Sequence, residues 1–67
     1  MKAYPIVLSE HPSRAEIIAA IREVAMNMET LGAAMENYGG DVAAHGIEML
    51  GAAQIAKTWA TGMESEK

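Results

Sequence analysis

The sequence predicts an all-α protein, a helical hairpin with a short extended N-terminal arm that assembles into a homo-oligomeric helix bundle. Three observations predict it. Ile17, Ile21, Val24, Met28, Leu31, Met35 and Tyr38 recur at alternating steps of four and three, a spacing that keeps one apolar seam on the side of a helix over about three heptads. Gly39-Gly40 then breaks the pattern with residues suited to a left-handed helix end. Beyond it, Val42, Gly46, Met49, Ala53, Ala56, Ala60 and Met63 form a second heptad-spaced stripe, made mostly of small residues.

In chain order, residues 1–12 read as an extended arm. Tyr4-Pro5-Ile6-Val7-Leu8 is too short for a helix and contains a proline that cannot donate to a sheet ladder. Burial of Ile6 and Leu8 across the end of a bundle is one expectation for the arm; contact with a neighbouring subunit or a ligand through Tyr4 is the other. The hairpin is expected over 13–62. Its first helix, 13–38, opens with Ser13-Arg14-Ala15-Glu16, a capping box in which the hydroxyl and the carboxylate satisfy orphan amides reciprocally. A turn at 39–41 follows, with Asp41 as N-cap of a second helix over 42–61. Gly62 is expected to stop that helix, leaving 63–67 as a disordered tail.

Assembly is expected because the chain is small. Its 67 residues hold no cysteine, and half of them are apolar yet none is Phe, so the core gains little area per residue and has no covalent staple. The large seam of the first helix is predicted to lie on the shallow stripe of the second. Ala52, Ile55 and Trp59 then project to one side of that stripe and Ile47 to another, more apolar circumference than one antiparallel neighbour covers. A dimeric four-helix bundle or a larger ring of hairpins follows. Gly46 and Gly51 cost a helix roughly 1 kcal/mol each, and close crossing of another helix is the expected compensation. The methionines read as gap-fillers or as an adaptable binding surface.

Composition excludes several function classes. A net charge of −4 with five scattered basic residues argues against binding a nucleic-acid polymer. No run of about 20 apolar residues is present to span a bilayer, and Met1 to Leu8 lacks the pattern of a signal peptide; a cytoplasmic protein is expected. No nucleophile elbow, P-loop or dinucleotide fingerprint occurs, so neither an enzyme nor a cofactor is expected. His45 and Glu48 stand three apart on a helix face and are expected to pair with each other rather than to hold a metal. His11 is expected to be solvated.

The short arm, the long helix, the Gly39-Gly40 turn and a second helix ending in Ala56-Lys57-Thr58-Trp59-Ala60 resemble the small helical-hairpin domains of phage anti-defence proteins that sequester cyclic nucleotide signals. The likeness covers about 13–59 and lies mainly in architecture. It implies a ring of hairpins that holds the signal between subunits without cleaving it. Residue chemistry suited to such a ligand is present: Tyr4 and Trp59, with Tyr38, offer aromatic faces, and Arg14, Arg22 and Lys57 offer charge for phosphates. Tyr4, Arg14, Arg22, Lys57 and Trp59 are therefore the candidate ligand-binding residues, with a cyclic nucleotide and the chain itself as the expected partners. The alternative is a structural or adaptor protein that applies its apolar helix surface to a macromolecule.

Overall fold

The structure, a computed structural model, describes residues 8–66; the arm expected over 1–12 lies mostly outside them, and Tyr4 and Ile6 with it. Two helices, α1 (Arg14–Tyr38) and α2 (Gly40–Ser65), pack against each other as a hairpin. A single layer of two helices leaves both of its broad faces open, and everything functional here follows from how differently those faces are finished.

The start of α1 realises half of the capping box. Ser13 caps the helix by accepting from the Glu16 amide at 3.1 Å, and its carbonyl accepts from the Ile17 amide. The Glu16 carboxylate does not return to Ser13. It takes the Ser9 amide and the Ser9 hydroxyl instead, each at 3.1 Å, and so folds the preceding chain back onto the helix start. These two bonds, the amide first and the hydroxyl second, hold the Glu16 carboxyl below its ordinary range.

The turn is tighter than the expected 39–41. Gly39 ends α1 and caps α2 at once: its amide donates to the Met35 carbonyl, and its carbonyl accepts from the Ala43 amide. This requires φ of 94° at Gly39 and 61° at Gly40, the left-handed region that glycine enters without a Cβ penalty. Asp41 consequently lies inside the first turn of α2 and caps nothing, although its charge still complements the helix dipole there.

The far end of α2 also departs from expectation. The helix passes through Gly62 and continues to Ser65, because side chains of α1 reach across to hold it. Arg14 donates from Nε and Nη2 to the Met63 carbonyl, both at 3.2 Å, and from Nη2 to Glu66 at 2.9 Å. Arg22 grips both oxygens of Glu64 at 2.7 Å. An orphan C-terminal carbonyl is thus satisfied by a guanidinium, and residues 63–65 of the expected disordered tail belong to the last turn of the helix, with Glu66 as its extended C-cap.

The core is built from small residues. Ala25, Ala53 and Ala60 are fully buried, Ala56 nearly so, and Ile18 is the only large buried side chain among the described residues. The stripe predicted on α2 does meet α1. What α1 buries most deeply against it is Ile18, Ala25 and Gly32, one position beyond Ile17, Val24 and Leu31 and therefore about 100° around the helix from them, while Ile21 and Met28 of the predicted seam pack against the same core partly buried. At the centre the backbones nearly touch: a Cβ on Gly46 would lie 2.7 Å from the Gly32 carbonyl oxygen. Gly46 thus has the close crossing expected of it. Gly51 does not, since a Cβ there would meet nothing within 4 Å.

Candidate functional site

Rotation of α1 leaves the seam half covered, and the coverage alternates in register. Ile21, Met28 and Met35 are partly buried, whereas Ile17, Val24, Leu31 and Tyr38 are exposed. The exposed row runs beside α2, whose Ile55 and Trp59 stand out at 54% and 62% exposure. Between the two rows lies a groove of about 600 Å³. Its walls are Ile17 and Val24 on one side and Ile55 and Trp59 on the other; Ala52 and Ala56 belong to its α2 side, and Leu8 joins the lining from the preceding chain. All of its lining residues are apolar. Water in such a groove finds no side-chain partner beyond the Trp59 indole N–H, so covering its apolar surface is favourable by about 25 cal/mol per Å².

The opposite flank is finished with ion pairs. Arg14 and Arg22 meet Glu66 and Glu64 there, in a shallow depression that shares no lining residue with the apolar groove. Lys57 donates to Glu29 at 2.7 Å, and Gln54 joins the same carboxylate at 3.3 Å. The side-chain bond from Arg22 holds the Glu64 carboxyl below its usual range, with charge attraction adding to it and desolvation opposing, and the same bond raises the Arg22 guanidinium.

The five candidate ligand-binding residues are therefore dispersed within one copy. Tyr4 lies outside the described residues. Arg14, Arg22 and Lys57 each carry a carboxylate partner from the other helix. Trp59 alone lines the apolar groove. Sequence reasoning found the groove's α2 wall, because Ala52, Ile55 and Trp59 stood out as a surplus apolar side. It missed that α1's own seam forms the other wall. The missed signal was the run Ile18, Ala25, Gly32, whose decreasing size marks a face for close helix approach.

His45 Nδ1 and Glu48 Oε1 are 2.6 Å apart on the solvent side of α2, the helix-surface pair that the spacing predicts. No group of three potential metal ligands gathers among the described residues, and none of the described helices is long and apolar enough to cross a membrane. No protein-family model, curated protein or solved structure matches the chain.

Proposed function

We propose that this chain is a non-enzymatic cytoplasmic binding protein, structural or adaptor in kind, that works by covering its apolar groove with a helix of another protein chain. The observation that carries this reading is the groove itself: exposed Ile17, Val24, Ile55 and Trp59 beside Ala52, Ala56, Ile21 and Met28, with no charged side chain in the lining and the Trp59 indole N–H as its one polar side-chain group. An apolar helix face laid between two ridges is a recurrent mode of recognition, read through anchors at helical spacing. Polar small molecules find little else to orient them there.

A photoreactive amino acid placed at position 55 tests the reading in cells. Covalent adducts to a protein chain from position 55, and none from position 47 on the off-groove side of α2, are expected. Equal labelling at both positions, or none at either, overturns it.

Sequestration of a cyclic nucleotide between subunits stands as the second reading, favoured by the exposed Trp59 ring. Its phosphates would have to displace Glu64, Glu66 or Glu29 from Arg22, Arg14 or Lys57, which is why it ranks behind an apolar partner. A panel of cyclic mononucleotides and dinucleotides decides it: saturation at a hundred times Kd raises unfolding stability by about 2.7 kcal/mol, and an unchanged Tm with every ligand removes it.

A further inference from the structure

We propose that the groove is closed by a second copy of this chain, two hairpins packing groove to groove about a two-fold axis into a four-helix bundle. This rests on the reading of the groove as a docking face and names its occupant.

Surface area gives the first argument. The hairpin leaves Ile17, Val24, Ile55 and Trp59 exposed together along one groove. The hairpin's own core offers little to set against that exposure, since Ile18 is its one large buried side chain among the described residues. Short chains without disulfides or metals obtain the missing burial by association.

Charge supplies the second. Two copies of a −4 chain repel unless their carboxylates stay apart. Here the groove lining is uncharged, while Glu29, Glu64 and Glu66 lie away from it and are already paired with Lys57, Arg22 and Arg14. Groove-to-groove contact therefore brings together linings that carry no charged side chain, and it leaves the ion pairs in water. A foreign partner selected by charge would have no counterpart on this surface.

Shape completes the case. A two-fold interface needs a patch complementary to itself, and this one alternates bulky and small: Trp59 and Ile55 rise beside Ala52 and Ala56. A two-fold rotation sets the Trp59 ridge of each copy over Ala52 and Ala56 of the other. In that antiparallel arrangement Val24 meets its equivalent, and Ile17 of each copy meets Leu31 of the other, as one seam of a helix bundle.

Sedimentation equilibrium across a micromolar-to-millimolar series tests this, using the whole chain, Ile55→Glu and Ile47→Glu. Ile47 is as exposed as Trp59 but does not line the groove. The native chain and Ile47→Glu should have twice the 7.1 kDa chain mass, and Ile55→Glu should dissociate at least tenfold more readily. Because Ile55→Glu could lose its fold along with its partner, isotope-filtered NMR on mixed labelled and unlabelled native chains provides a second readout. Nuclear Overhauser effects from the Trp59 ring of one copy to alanine methyls of the other are expected. A monomeric native chain overturns the proposal, as does a dimer equally sensitive to both substitutions or one lacking those effects. A monomer that still crosslinks from position 55 to a different protein sinks the proposal while sparing the docking reading; a monomer that crosslinks to nothing sinks both.

Discussion

Gly46 lies against Gly32 so closely that a Cβ added at Gly46 would sit 2.7 Å from the Gly32 carbonyl oxygen, 2.9 Å from Met35 Cβ and 3.0 Å from the Glu36 amide nitrogen. None of these is the free end of a flexible side chain, so the helices must move apart. Alanine at position 46 gains about 1 kcal/mol of helix propensity and loses about 1–3 kcal/mol to overpacking. Gly46→Ala is therefore expected to lower the denaturant midpoint. Gly32→Ala should cost less, because two of its three nearest atoms belong to the Leu50 side chain, which can turn away.

Gly51 gives the opposite sign. It is helical and exposed, with no atom within 4 Å of a built Cβ, and it lies outside the groove lining. Gly51→Ala is expected to raise stability by up to about 1 kcal/mol, read as a higher Tm at unchanged association. A loss of stability would mean that another helix crosses α2 on that outer side.

At the turn, Gly39 combines φ 94° with ψ 179°, a region populated almost solely by glycine. Gly39→Ala places a Cβ in open space yet in a strained backbone, at a cost of about 1–3 kcal/mol. Thermal unfolding should register the loss without any change in which face associates.

The Arg22–Glu64 clasp makes the end of α2 sensitive to acid. Hydrogen bonding from Arg22 lowers the Glu64 carboxyl in the folded chain below its reference value of 4.5. The unfolded chain therefore takes up the proton first, and the clasp's contribution is complete above that value and fades as pH falls through the lower folded one. Glu16, lowered by its bonds from Ser9, acts in the same direction at the same end of the hairpin, where the start of α1 lies beside the end of α2. Cα chemical shifts of Met63 to Ser65 should stay helical at neutral pH and drift toward coil on acidification below about 4.5. In Glu64→Gln they should be shifted toward coil already at neutral pH and respond less to acid.

Much of the architecture was legible in the residues. Ser13 marked the start of α1, Gly39 its end, and the small stripe of α2 its buried side. What misled was weight given to size: Ile17, Val24 and Leu31 look like a core, yet the closest helix packing is made by Ala25, Gly32, Gly46 and Ala53, because small residues let backbones approach. The helix end near Gly62 was hidden for a different reason. Arg14 and Arg22 hold it from 49 and 42 residues away in sequence, a relation that local propensity does not carry. For the same reason, cations that looked free to bind phosphates in the sequence have carboxylate partners in the fold.

The single tryptophan reports directly on the groove. Fluorescence of Trp59 through a dilution series, with acrylamide as quencher, tests whether that apolar face is covered in the associated protein. A blue-shifted, quencher-protected emission at high concentration that relaxes toward that of a water-exposed indole on dilution is the predicted result. Emission of a fully hydrated indole at every concentration, from a sample whose mass is already that of an assembly, would contradict it.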